Sequence, residues 1–416
     1  MKQIYLTIAP LLFILFTCTA QTVHTCATDD YQNNLLQQNA AYKNKFELLN
    51  KQENAFIESH PDFSLPTPVY IPVVFHVMYN TAAQNIPISR ILAQMDVLNN
   101  DFQRLNADTI NTPSVFAQCA NGSQIHFCLA QRDPGGQPTT GIITVPTPAS
   151  SFTGAQIFYQ SQGGDPIWPA ESYLNIYVGN LANGVLGFAQ YPGGNDTTDG
   201  VVVHYECIGG LNTPGTLAPY NLGRIATHQV GHWLNLQHFG TNCSTLGTGI
   251  CQPPQQSMPT GCPAFPEITC NNGPNGNEFM NFMQGVNDSC MNMFHYGQIT
   301  RMNACLASSI SLRNALASSP GCLPVGINEI NNLINSCILY PNPSTGNIQL
   351  IFKAKEKKNL KCEILNMIGE KAFEQILTTS DIRNTYNLDV SFLSKGIYLL
   401  DINIDGERIV KKIVIE

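Results

Sequence analysis

Residues 69–79 (VYIPVVFHVMY) are almost continuously apolar and rich in β-branched side chains, the pattern of a strand buried on both faces. Downstream, Ile91, Leu92, Met95, Leu98 and Phe102 fall on one helical face, so a helix over 88–105 is expected to pack on the sheet holding that strand. Ile125, Phe127 and Leu129 alternate with His126, Cys128 and Ala130 as in a half-buried strand, and 173–178 and 199–205 predict two more. The Gly-rich stretch 179–194 joins these last two. Inside it, 185–191 (VLGFAQY) has the pattern of an exposed edge strand, able to pair with an extended peptide. A further helix is expected over 296–316. Together these elements predict a compact α/β domain over 66–323. Before it, residues 21–65 are rich in Asn, Gln and Lys, with Tyr42, Phe46, Leu49 and Phe56 at helical spacing, which predicts a helix docked through one stripe. After it, past a linker over 324–337, short alternating runs at 348–352, 362–366, 397–404 and 408–415 predict a separate β-sandwich over 338–416.

Composition moves this architecture outside the cell. Only 12% of the 416 residues are charged. Lys2, the apolar run 11–16 and the small Ala20 before Gln21 form a signal-peptide pattern over 1–20, and no other stretch is long and apolar enough to span a bilayer. Most of the 14 cysteines are therefore expected in disulfides. Cys18 leaves with the leader, so an odd number remains and at least one thiol is left over. The loop-rich stretch holding Cys243, Cys251, Cys262, Cys270 and Cys290 has too few apolar residues for a core of its own, which makes it dependent on such bonds. A net charge of -8 provides no basic footprint for nucleic acid.

The candidate chemistry lies in HQVGHWLNLQH, residues 228–238. His228 and His232 are four apart with no intervening Pro, so on a helix both imidazoles point to one side. His238 follows six residues later. Asn235 stands where H-E-x-x-H-x-x-G-x-x-H zinc peptidases carry Gly, and Asn tolerates the left-handed backbone that would end the helix and swing His238 round. Three imidazoles leave a fourth tetrahedral position open, the pattern of a catalytic rather than a structural zinc. Gln229 occupies the place of the general-base Glu, and an amide cannot accept a proton from the attacking water near neutral pH. His76, His126 and His204 lie on strands without ligand spacing and are read as core or surface histidines. Cys26 stands alone ahead of the N-terminal stripe. It either fills the open metal position as a latency thiolate, pairs with another cysteine or faces solvent.

At this motif and at 281–302 (NFMQGVNDSCMNMFHYGQITRM) the chain resembles the pappalysin family of metzincin metallopeptidases, specifically its secreted bacterial members. The resemblance spans about 69–323 and is reinforced by Met291, Met293, Phe294, Gly297, Gln298, Arg301 and Met302. It implies an α/β (α+β) metzincin-like fold, with a twisted mixed sheet and zinc helix above a cleft and a disulfide-bonded lower lobe. It also implies Zn2+ on His228, His232 and His238, a Met-turn methionine at Met283, and disulfides Cys243 with Cys270 and Cys262 with Cys290. The sequence departs from the family at Gln229. It departs again at Gln284 and Gly285, where the family has Asp-Tyr after the methionine, and at 251–253 (CQP), where an Asp-Thr-Pro segment helps bind Ca2+. Farther on, LYPNPSTG (339–346) and the closing RIVKKIVI resemble the C-terminal sorting domain of the type IX secretion system of Bacteroidetes.

The expectation drawn from these residues is an exported protein that binds zinc and peptide with impaired or absent proteolysis. Its partners would be a peptide or protein ligand and the secretion machinery. The alternatives are an active peptidase with a substitute base, Glu206 or Glu278, and a metal-free structural surface protein.

Overall fold

The structure, a computed structural model, describes residues 25–61, 63–239, 243, 253–308, 311, 313–324, 338–353, 359–366, 369–378, 383–404 and 407–415. The expected leader, most of the expected linker, Cys251 and Gln252 lie outside these residues. The chain divides into two compact units, 1–325 and 326–416.

The first unit is built on β1 (Val69–Tyr79), whose side chains are buried on both faces apart from Tyr70 and Tyr79. β2 (Ile125–Leu129) and β3 (Ile142–Pro146) pair end to end along one edge of β1, and β4 (Leu174–Gly179) pairs along the other, all parallel. β6 (Val201–His204) continues the sheet parallel to β4. β5 (Gly187–Ala189) closes it as an antiparallel edge strand. The sheet is therefore mixed; buried residues of one face form a core with α3 (Ile88–Phe102), α4 (Arg224–Trp233) and α5 (Tyr296–Ala307), while Met78, Tyr177, Phe188 and Val202 pack in a second cluster with Phe152, Ile157 and Phe158. Ahead of β1, the N-terminal segment forms α1 (Thr28–Gln38) and α2 (Ala40–Ser59). It is two helices rather than one because Asn39 leaves the helical region and its side chain caps α2 through Tyr42 N.

Two helices end earlier than their apolar pattern predicts. α3 stops at Phe102 because Arg104 is left-handed (φ 55°) and Leu105 N turns back to Asn100 O, which leaves Leu105 exposed. α5 stops at Ala307, where the Ser311 hydroxyl donates to Cys305 O in place of a continued helical bond. The rest of the expected helix is a 3-10 turn over Arg313–Ser318. That turn carries Arg313, fully buried, which pairs with Asp199 at 2.5 Å and lies 3.8 Å over the Trp233 ring; Trp233 Nε1 donates to the same carboxylate. The last residue of α4 is thereby fixed to the loop before β6. A disulfide between Cys128 on β2 and Cys322 ties the end of the domain back to the sheet across 194 residues.

The second unit is a pair of antiparallel sheets. One has the order β11 (Arg383–Asp389), β8 (Asn347–Lys353), β7 (Ile338–Tyr340); the other has β10 (Lys371–Thr378), β9 (Asn359–Leu365), β12 (Gly396–Ile404), β13 (Glu407–Ile415). Ile348, Leu350, Leu360, Ile364, Leu388, Leu400, Ile402 and Ile413 supply its core. The opening and closing motifs meet here: Asn342 Oδ1 accepts from Val414 N, Asn342 Nδ2 donates to Lys412 O, and Ser344 N donates to Val414 O.

Candidate metal centre

α4 carries His228 and His232 one turn apart, and every residue of the helix is buried. Its N-terminus is held by Asp288, which accepts from Leu222 N (2.7 Å) and Arg224 N (3.3 Å). Arg224 pairs with Asp101 and Asp108, and Asp101 also accepts from Thr227 Oγ1. At the other end Asn235 is left-handed (φ 68°), so the chain turns back and brings His238 to the same point.

The three Nε2 atoms lie 3.0, 3.0 and 3.2 Å apart, and Cys26 Sγ is 3.4 Å from His232 Nε2. Zinc bonds of about 2.0–2.1 Å to nitrogen and 2.3 Å to sulfur give tetrahedral edges of roughly 3.3–3.6 Å, slightly longer than these separations, so the donors converge closely enough to hold the ion. The far ring nitrogens are also tied down. His228 Nδ1 bonds Phe282 O and His232 Nδ1 bonds Leu236 O, each at 2.7 Å; His238 Nδ1 meets Asp29 Oδ2 at 2.8 Å. Acceptors at Nδ1 hold the proton there and leave Nε2 free as a ligand. Among the described residues this is the one group of three or more His, Cys, Asp or Glu placed to hold a metal ion. Ca2+ finds no support: no acidic cluster of that kind occurs among them.

Met283 is fully buried beneath the helix, at Gly231, where an added Cβ would come within 2.5 Å of its Sδ. The disulfides Cys243–Cys270 and Cys262–Cys290 are both formed.

The N-terminal segment makes several polar contacts at the centre that no pattern in the sequence marks. Thr28 Oγ1 donates to Gln229 Oε1 (2.9 Å) and accepts from Ala189 N on β5, while Ala27 N donates to Gly187 O on the same strand. Asp29 orients His238, and Asn235 Nδ2 reaches Glu53 and Asn50 on α2. These are short-range polar contacts between residues some 200 positions apart, with no periodic signal to reveal them. Cys26 is not in a disulfide. Burial pulls its thiol up, but the imidazoles, His232 foremost, outweigh it and hold it well below the usual thiol range. Burial takes His232 down to about 4. Burial opposes charge on His238 too, yet Cys26 and Asp29 push it up to about 10.

Neither acid considered as a substitute base belongs to this group. Glu206 accepts from Thr216 Oγ1 and lies beside His204. Glu278 accepts from Asn281 Nδ2, and burial pushes it up to about 8, so it is protonated at neutral pH. A raised carboxyl pKa contributes stability that is full below the ordinary value and lost as pH rises through the folded one. Between about pH 5 and about pH 9, wild type is therefore expected to lose up to about 4 kcal/mol relative to Glu278→Gln, measured by chemical denaturation at each pH.

A buried helix with two histidines, a left-handed turn to a third, an antiparallel edge strand and a buried methionine define a metzincin. The family described as pregnancy-associated plasma protein-A matches residues 159–307, and the secretion system C-terminal sorting domain matches 338–416. An extracellular metalloprotease of Verticillium alfalfae is 30% identical over 262 residues, covering 59% of this chain and 78% of its own length. A mutant of Tannerella forsythia promirolysin superposes with TM-score 0.63 at 39% identity, over 71% of this chain and 97% of its own. Mature mirolysin in complex with a cleaved peptide gives 0.58 at 41%, over 61% and 97%. The chain belongs to the pappalysin family of metzincin zinc metallopeptidases, and it is an exported protein bearing a type IX sorting domain.

Proposed function

We propose that this protein binds zinc through His228, His232 and His238, binds peptide along β5, and cleaves poorly or not at all because Gln229 stands in place of the general base. The observation that carries the reading is the pairing of a complete, well-oriented imidazole set with a buried amide where proton transfer is needed. A bound zinc ion supplies Lewis acidity. Gln229 is positioned to hold a water or a carbonyl group by hydrogen bonding, but it has no basic lone pair to take a proton. The separate partners of Glu206 and Glu278 weigh against a substitute base.

The N-terminal segment, 21–65, is read as a propeptide that holds the centre latent. Cys26 would supply the fourth ligand, and Thr28 and Ala27 lie along β5 where a peptide would lie. The match to promirolysin extends over more of this chain than the match to the mature form, 71% against 61%, which favours this reading. The remaining divisions are a leader (1–20), a peptidase-like domain (66–323), a linker (324–337) and a sorting sandwich (338–416) that addresses the chain to its secretion machinery.

Metal analysis tests the zinc part. Purified full chain is expected to hold about one zinc per chain and His232→Ala essentially none. Loaded with Co2+, wild type is expected to show a thiolate-to-metal absorption band that Cys26→Ser abolishes without loss of metal. Equal metal in wild type and His232→Ala would sink the assignment.

A further inference from the structure

The edge strand β5 sorts its side chains by size. Gly187 and Ala189 face α4: a Cβ on Gly187 would stand 3.0 Å from Gln229 Cγ and 3.1 Å from Ile225 Cγ2, and Ala189 belongs to the core on that side. Phe188, between them, points to the opposite face and packs in the second cluster with Phe152, Phe158 and Leu181. Beside it opens a cavity of about 340 Å3, walled on the domain side by Phe152, Leu181, Val185 and Phe188. No charged side chain of the domain lines it; the one acid, Asp30, comes from the N-terminal segment. The segment also supplies Tyr31, whose ring lies against that of Phe188 with centroids 4.8 Å apart and planes tilted by 43°. Because Ala27 N of the same segment donates to Gly187 O, the stretch that lies along β5 also delivers an aromatic ring to this shelf. None of the residues that meet at the metal centre lines the cavity.

We infer that β5 carries, on the face turned away from α4, a subsite for a neutral aromatic side chain of a bound peptide, formed by Phe152, Leu181, Val185 and Phe188 and filled here by Tyr31. Residues opposite one another on paired strands put their side chains on the same face. In a peptide lying along β5, the residue opposite Phe188 therefore points into this shelf, and the residues before and after it point toward α4 and the metal centre. A ring there gains an aromatic cross-strand partner and apolar walls. A charged side chain there would be buried without a partner. The inference rests on the reading of β5 as the peptide-binding strand and adds the class of side chain that strand selects.

Two measurements test it. Full chain carrying Tyr31→Ala is expected to bind p-cresol, the free form of a tyrosine side chain, at least about tenfold more tightly than wild type does by calorimetry, and adding Val185→Asp at the half-buried edge of the cavity is expected to abolish the gain. The second uses zinc-loaded full chain from which residues 21–65 have been cleaved and released, titrated with short acetylated alanine-based peptides that carry a single Tyr or Asp at each position in turn. At one position Tyr is expected to bind at least about tenfold more tightly than Ala or Asp, and Phe188→Ala and Val185→Asp are each expected to erase that preference. Equal binding of p-cresol to wild type and Tyr31→Ala would overturn the inference, as would a Tyr preference that survives both domain substitutions. Peptides that bind without a preferred position for Tyr sink this inference and leave the peptide-binding reading standing. Peptides that do not bind at all sink that reading, and the inference with it, even where p-cresol binds.

Discussion

Zinc-loaded protein from which the N-terminal segment, residues 21–65, has been cleaved and released is expected to cleave peptides about 10²- to 10⁴-fold faster when Gln229 is replaced by Glu. That gain corresponds to roughly 3–5 kcal/mol of barrier, the usual contribution of a positioned general base. The geometry is ready for it. Glu has the shape of Gln, and Gly187 already approaches the 229 side chain so closely that a Cβ there would stand 3.0 Å from its Cγ. Hydrolysis of a mixed peptide library, expressed as kcat/KM, reads the effect, and wild-type turnover equal to that of Gln229→Glu would rule out the impaired reading. A zinc-bound but inactive Gln229→Glu would locate a second lesion at Gln284 and Gly285. Gln284 Nε2 donates to Phe239 O, next to His238.

Asp199→Ala is expected to destabilise the first unit by about 3–5 kcal/mol, because it leaves Arg313 charged, fully buried and unpaired. That is a large part of the 5–15 kcal/mol typical of a folded domain, so the variant should unfold at a much lower denaturant midpoint. The double substitution Asp199→Leu, Arg313→Met removes both charges and should recover most of the loss. If the single substitution costs under about 1 kcal/mol, the pair does not hold α4 in place.

The sheet and α4 were legible because burial writes itself into the sequence as periodicity. β1 is apolar on both faces and α3 is striped, so both could be read without knowing what they touched. His228, His232 and His238 were legible through spacing along a single turn and loop. Cys26 has three readings in the sequence, because its setting depends on a strand and a helix about 160 and 200 residues away. Thr28 and Asp29 gave no signal at all: in a segment rich in polar residues nothing marks the two that face inward. Arg313 lies in a stretch whose pattern predicts helix, and its partner Asp199 reads only as the start of a strand. Cys128 occupies one position in an alternating strand, and nothing in the sequence marks Cys322 as its partner.

That last bond sets how the protein bears mechanical load. The sorting unit follows the domain in sequence, so any pull on the C-terminal part of the exported chain enters the domain through Cys322. There it passes straight into β2 at Cys128, beside the central strand, instead of travelling back along the chain. The 193 residues between the two cysteines, which include α4, all three histidines and Met283, lie within a closed covalent loop that tension from that end cannot draw out. A protein tethered by its tail would thus keep its metal centre slack while the anchor is under strain.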